Sequence, residues 1–542
     1  MSSISSLLHG SYLERIQLPA RLQTLSQFEL GDPRTLIAVA SLVRPVSLYD
    51  PIPYVFNTFQ FIFWNERFLN RAAKVLEHAR VVRFHLFQTP VYLISGQQSI
   101  QTLFSRSHNV GSENMYMEHV FPNLYGMPKQ DVQRFIDDKS GRDRVPPPGF
   151  EKMTTDQRVW TGYDKVHSDL SKTQNFRPVA EFFSRGMSQA LDEWYPVNEW
   201  HSVSLIDFCR NRIAAKGVEA LFGTRMFELN PDLINAFWAF DSNLFVLTLG
   251  LSRWIHFRAY RAKDRYYGMI RNYLNDANGR TSHNNEAFWS GIINWFKCNK
   301  FDDRVGVGAM AIVMFAALSN TVPIMMWMII EIVSDRSLLQ ALRDEVATAF
   351  STDSMTGERT LDVGKVPTLP LLQSVFTEVL RLHMNFNLIR NVNQPIVIDG
   401  FAIPRGVMLQ APMRTAHYDE EAWGSEGHPA AEFWAERHVT WKEIQDESGN
   451  TTKQRVFAMA ARPTSFFPFG GSHEICPGRH LAKHEILTVV ALLVTKFDME
   501  LENWTQKDGS PSERTAKNDS RFSGAGAQPP DRDLKMRWRR KH

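Results

Sequence analysis

The sequence predicts a mainly α fold with a minor β part, built as a single large domain. Three observations carry this. Helical periodicity dominates from about residue 149 to 382, broken only by polar loops near 276–286 and 351–361. Strand-like alternation is short and confined to two main places, residues 81–94 and 388–409. No repeat and no low-complexity linker divides the chain. With 43% hydrophobic and 12% aromatic residues in 542, such a domain can bury a large core and an apolar ligand as well.

Residues 1–50 are mixed and unassigned, and the domain is read as 51–542. The apolar stretch 36–43 lies between Arg34 and Arg44 and is far short of the ~20 residues that span a bilayer. Residues 52–64 are apolar and aromatic but contain Pro53, Asn57 and Gln60, which favours a buried helix. Val82, Phe84 and Leu86, then Val91 and Leu93, alternate around Gln88-Thr89-Pro90 and predict a β-hairpin. After Gly96, the spacing of Ile100, Leu103 and Phe104 predicts a short helix. Residues 137–148 read as an exposed loop, and 305–333 as one long apolar helix. A Gly/Pro-rich loop at 463–478 precedes an apolar helix at 481–494, and residues 521–530 suggest a closing turn between strands.

Sixty-one basic residues against 58 acidic ones give a net charge of +3, too even to argue for nucleic acid. Three cysteines, Cys209, Cys298 and Cys476, cannot staple so long a chain, which predicts a reduced, cytosol-facing protein. No signal peptide is legible.

Chemistry concentrates in Phe469-Gly470-Gly471-Ser472-His473-Glu474-Ile475-Cys476-Pro477-Gly478. The glycines allow tight turns against a flat ligand. Cys476 falls just before a helix expected to open at Pro477, and that helix end favours a thiolate over a thiol. Phe469 is expected beside the sulfur, keeping water away. Two other readings stand here. His473, Cys476, His480 and His484 have a spacing that zinc accepts, and a cysteine at a loop end is often inert and buried.

The spacing Phe-x-x-x-x-x-x-Cys-x-Gly-x-x-x-Ala resembles the haem-ligand loop of cytochromes P-450. Glu378-Val379-Leu380-Arg381 resembles the family's Glu-x-x-Arg. Arg437, in Ala435-Glu436-Arg437-His438, stands where the family has a third, locking residue; Glu378, Arg381 and Arg437 are thus a structural triad by resemblance. In Ala316-Ala317-Leu318-Ser319-Asn320-Thr321-Val322-Pro323, Pro323 removes a backbone donor and distorts the helix beside Asn320 and Thr321. A polar notch in an apolar helix suits proton delivery, so Asn320 and Thr321 are the catalytic candidates. A merely kinked core helix is the plainer reading. The Asn-Thr-x-Pro notch, the run 475–486 and Phe386-Asn387-Leu388-Ile389-Arg390 resemble the branch holding oxysterol 7α-hydroxylases, sterol 12α-hydroxylases and prostacyclin synthase.

The resemblance implies a cytochrome P-450 fold, with 51–542 the haem domain. It implies heme b, iron protoporphyrin IX, with the Cys476 thiolate as axial ligand, a ligation that favours O–O cleavage. Phe469, Gly470, His473, Gly478 and Arg390 would also bind the cofactor, Arg390 through a propionate. The implied activity is monooxygenation of a lipophilic substrate (sterol, terpenoid or other specialised metabolite), with electrons from NADPH through NADPH-cytochrome P-450 reductase. An isomerase or dehydratase acting on a peroxide, and a non-catalytic haem- or lipid-binding protein, are the alternatives. Residues 237–254 are expected to touch a membrane surface, and the chain to attach peripherally to the cytosolic face of the endoplasmic reticulum. Two positions depart from the family. Ser472 replaces a glycine, and Glu474 replaces a common arginine and is expected to face solvent, since a carboxylate would repel a propionate. Gly306-Val307-Gly308-Ala309-Met310-Ala311 mimics a nucleotide loop, but no strand precedes it; it reads as the start of the notch helix.

Overall fold

A computed structural model describes residues 44–105, 109–142, 145–276, 287–352, 359–445, 451–460 and 463–541. The apolar stretch 36–43 and most of the segment 1–50 lie outside the described residues, as do parts of the two polar loops.

The hairpin forms as the alternation requires: β1 (Val81–Leu86) pairs antiparallel with β2 (Thr89–Ile94). Phe87, at φ +50, begins its turn. Further strands are β3 (Met384–Val392), β4 (Met408–Pro412) and β5 (Ala525–Ala527). They extend the hairpin into one sheet in the order β1-β2-β4-β3-β5, with Val46–Ser47 beyond β1 and Val110–Gly111 on β3.

Helices make up most of the rest, mainly α with a minor β part. The ones that matter for the site are α1 (Thr173–Trp194), α2 (Leu233–Asp241), α3 (Phe257–Asn275), α4 (Asp303–Leu318), α5 (Thr321–Ser334), α6 (Pro370–His383) and α7 (Arg479–Lys496). Asp302 caps α4 through the Arg304 amide. A Cβ on Gly308 would lie 2.4 Å from the Tyr125 backbone, so this glycine serves close helix packing and not a nucleotide loop. α5 buries every residue from Thr321 to Ile330, and α6 and α7 pack against it.

The expected single helix at 305–333 is two helices, α4 and α5, separated by Ser319 and Asn320. Pro323 explains the break, because it has no N–H to donate to the Ser319 carbonyl. Among the described residues, Asp303–Ser334 is the one helical stretch long and apolar enough to cross a membrane, and it runs through the core.

In α7, burial lifts the Glu485 carboxyl to about 8, and among the described residues its Oε1 has no hydrogen-bond partner. The folded protein therefore holds this proton more tightly than the unfolded chain, whose carboxyl sits at 4.5. The contribution of Glu485 to stability is undiminished below pH 4.5 and falls as pH rises to about 8, by ~1.4 kcal/mol per unit. Glu485→Gln is expected to raise Tm by several degrees at pH 7.5 and to flatten Tm between pH 5 and 8. Parallel Tm–pH curves for parent and variant would contradict this.

Candidate functional site

The cysteine reaches α7 through two left-handed residues, Gly470 at φ +75 and Ser472 at φ +61. Glycine adopts this region freely, whereas serine there costs ~1 kcal/mol or more. Gly471 has a different reason: a Cβ would lie 2.4 Å from the Phe104 ring. Cys476 N donates to Phe469 O at 2.8 Å, which holds the phenylalanine's backbone against the cysteine's.

α7 starts at Arg479 with Gly478 as its N-cap, so the helix does not open at Pro477. The amides that reach the Cys476 sulfur are those of Gly478 and Arg479. The thiol is exposed on one side and ringed by protein on the others. Burial pushes it above its ordinary value, against the pull of the two amides and the Arg479 charge. Protonated when free, it must lose its proton to a metal that binds it.

Glu474 does not face solvent. Its side chain is 10% exposed and lies between two guanidiniums. Arg142 Nη1 donates to Oε1 at 2.7 Å, and Arg390 Nη2 lies 2.9 Å from Oε2. Ser112 N donates to Oε1 at 3.3 Å. Burial pushes this carboxyl up, but Arg390 and Arg142 outweigh it and hold it below the ordinary range. Arg142 belongs to the 137–148 loop expected to be exposed, yet its side chain is 8% exposed. It grips Asp164 with Nε to Oδ2 at 2.7 Å and Nη2 to Oδ1 at 2.6 Å, and lies over the Trp160 ring at 4.9 Å. Repulsion from a propionate is not the field that decides where Glu474 sits. Two buried cations beside a carboxylate favour its burial. Arg390 is thus shared with Glu474, while His473 is exposed, with Nε2 at 3.7 Å from Glu474 Oε1.

His480 and His484 turn to Phe176 on α1, with ring centroids 5.6 and 5.4 Å away. Among the described residues no three His, Cys, Asp or Glu side chains converge as metal ligands. The zinc alternative has no geometry here.

Glu378 and Arg381 are fully buried on α6, one turn apart. Arg381 donates Nε to Glu378 Oε2 at 2.8 Å and Nη2 to Oε1 at 2.6 Å. Arg437 Nε donates to the same Oε1 at 2.8 Å. The spare guanidinium hydrogens go to backbone carbonyls: Arg381 to His417 and Ala430, Arg437 to Trp423, Pro429 and Glu432. His438 Nε2 stands 3.5 Å from Glu378 Oε2. Burial pushes Glu378 up, and the guanidiniums overcome it, holding the carboxyl at about 2.

At the helix break, Thr321 is buried as the first residue of α5. Asn320 directs its amide oxygen to β5, accepting from Ala527 N at 2.9 Å. One turn earlier Ala316 is exposed, in a helix that is otherwise largely buried. Nothing in the spacing of Arg142 pointed to Glu474. Ser319 and Asp241, joined across this break, were also missed; the only signal was an acid alone in an apolar stretch.

The cytochrome P450 family profile matches residues 242–520. A cytochrome P450 monooxygenase of Penicillium decumbens, calL, is 36% identical over 497 residues, covering 89% of this chain and 91% of its own. The chain belongs to the cytochrome P450 family. Another relative, the monooxygenase fsoE of Humicola fuscoatra, is 26% identical and covers 92% of this P450 and 88% of itself. Retinoic acid bound cyanobacterial CYP120A1 superposes with a TM-score of 0.63 at 16% identity, over 92% of this chain and 99% of its own. The chain has the P450 fold and is an oxidoreductase, a P450 monooxygenase.

The family implies haem with cysteine thiolate ligation. The residues fit it. A single sulfur stands exposed at a helix start, two amides aim at it, and among the described residues no cluster of three metal-ligating side chains competes with it.

Proposed function

We propose that this P450 inserts one oxygen atom from O2 into a lipophilic substrate, a sterol, terpenoid or other specialised metabolite, with electrons from NADPH through a flavoprotein reductase. The observation that carries the reading is the break between α4 and α5, at which the buried Thr321 stands at the head of the buried, apolar run Val322–Ile330. Haem, when bound, supplies the activation of O2. Cys476 holds it, with the Gly478 and Arg479 amides favouring the thiolate. Phe469 and Gly470 form the apolar, tightly turned flank, and the Arg390 guanidinium and the His473 ring are the groups for a propionate. Thr321 holds a proton at its hydroxyl for delivery, and Asn320 ties the break to β5.

The finer likeness to the branch of oxysterol 7α-hydroxylases, sterol 12α-hydroxylases and prostacyclin synthase rests on the motifs alone. The Penicillium and Humicola relatives carry names from none of these three. Turnover with NADPH and reductase tests the reading. Thr321→Val should cut product ~10²–10⁴-fold while NADPH consumption continues and peroxide appears. Conversion of a peroxide substrate with the reductase omitted would make the protein an isomerase instead.

Peripheral attachment to the cytosolic face of the endoplasmic reticulum belongs to the same reading. Residues 237–254 divide: Phe237, Phe240 and Leu247 are core, while Phe245, Leu249, Leu251 and Trp254 are exposed, Trp254 by 93%, and the exposure continues past the segment at Ile255 and Phe257. Leu247 is therefore no surface contact. The joint substitution of Trp254→Asp and Ile255→Asp should weaken liposome flotation about tenfold; equal flotation would move the contact elsewhere.

A further inference from the structure

The break between α4 and α5 lacks an acid of its own, because Asn320 precedes Thr321 and turns its amide oxygen to Ala527. An acid nevertheless reaches it from another helix. The Ser319 hydroxyl, at the C-terminal end of α4, donates to Asp241 Oδ1 at 2.6 Å. Asp241 is the last residue of α2, in a wall where Phe237 and Phe240 are fully buried. Burial pushes its carboxyl up, more than the Ser319 hydrogen bond and the Arg210 charge pull it down. Among the described residues, two titratable groups face it. Arg210 has its guanidinium over the Trp238 ring at 4.4 Å. Tyr266, from α3, donates its hydroxyl to Ala311 O of α4 at 3.0 Å. Neither group makes a closed ion pair with Asp241, so its carboxyl is free to exchange a proton through Ser319.

We propose that Asp241 is the acid of the helix break, a positioning residue that supplies protons to the Thr321 site through the Ser319 hydroxyl. With Asp241 protonated, the Ser319 hydroxyl turns from Asp241 to the break; as it releases its proton there, its oxygen takes the Asp241 proton, and the Asp241 carboxylate recovers one from solvent. No electrons move in this exchange. A Ser–Asp link that only fixed α2 to α4 would tolerate asparagine, which keeps the acceptor oxygen and removes the proton. The inference rests on the monooxygenase reading and gives that reading its proton source.

The test uses the haem-loaded full chain with NADPH, a P450 reductase and thioanisole as oxygen acceptor. Asp241→Asn should keep the reduced–CO band and NADPH consumption. Sulfoxide per NADPH should fall ~10²-fold, with peroxide in its place. Iodosylbenzene delivers an oxygen atom without needing protons, so sulfoxidation driven by it should match the parent. Asp241→Glu should restore part of the coupling. Ser319→Ala should reproduce Asp241→Asn, with the double variant no worse, because both act on one path. Sulfoxide per NADPH unchanged in Asp241→Asn overturns the proposal. So does an equal loss with iodosylbenzene, which would mean a distorted pocket. A parent that makes sulfoxide from iodosylbenzene but not from NADPH and reductase defeats the monooxygenase reading, and this one with it.

Discussion

Replacing Cys476 by alanine is expected to abolish the thiolate band in the reduced–carbon monoxide difference spectrum. No other sulfur is available at the loop. Cys209 is fully buried in the core, where burial holds its thiol well above the ordinary range. Cys298 is exposed at the far end of its own helix, Ala287–Cys298. Cys209→Ala and Cys298→Ala should therefore leave the band in place. The effect of Cys476→Ala should be complete, because alanine offers neither charge nor lone pair. A parent-like band in that variant would end the assignment of the ligand.

The second large effect is expected from Glu378→Ala. It would leave Arg381 and Arg437 as buried cations that keep backbone carbonyls and the Trp423 and Trp434 rings but lose their carboxylate. Breaking a buried pair in this way costs ~3–5 kcal/mol. Thermal unfolding and haem content should both fall, before any question of rate arises. The sign with pH follows from the depressed carboxyl. Its contribution is present above 4.5 and is lost only as pH falls through about 2, so the gap in Tm between parent and variant should stay constant from pH 8 to 5. A haem-replete Glu378→Ala protein with the parent's Tm would show the triad to be dispensable.

What could be read in advance depended on whether the signal was local. The hairpin at Val81–Ile94 was legible because alternation is a property of neighbours, and the apolar length of α7 for the same reason. Glu378 and Arg381 share a helical face by spacing alone. Pro323 announced a distortion, though a single proline does not tell a kink from a full break. Pairings between distant segments were hidden. Arg142 lay in a stretch whose composition said loop, and loops are usually solvated. Glu474 was judged from one neighbour when it has two arginines. Asp241 looked like an interruption in an apolar run, and only the fold brings Ser319 to it.

The seat of Glu474 also bears on the order in which the protein assembles. Arg142 precedes its partner by 332 residues. At ribosomal speeds of ~5–20 residues per second, roughly 15–70 s pass between their emergence. Asp164 follows Arg142 by only 22 residues and binds it with two hydrogen bonds, so the guanidinium has a counter-charge throughout the wait. The cysteine loop thus docks on an Arg142–Asp164 pair supplied by the first third of the chain and on Arg390, which comes later. A nascent chain halted before residue 474 would carry both guanidiniums and not yet the Cys476 loop.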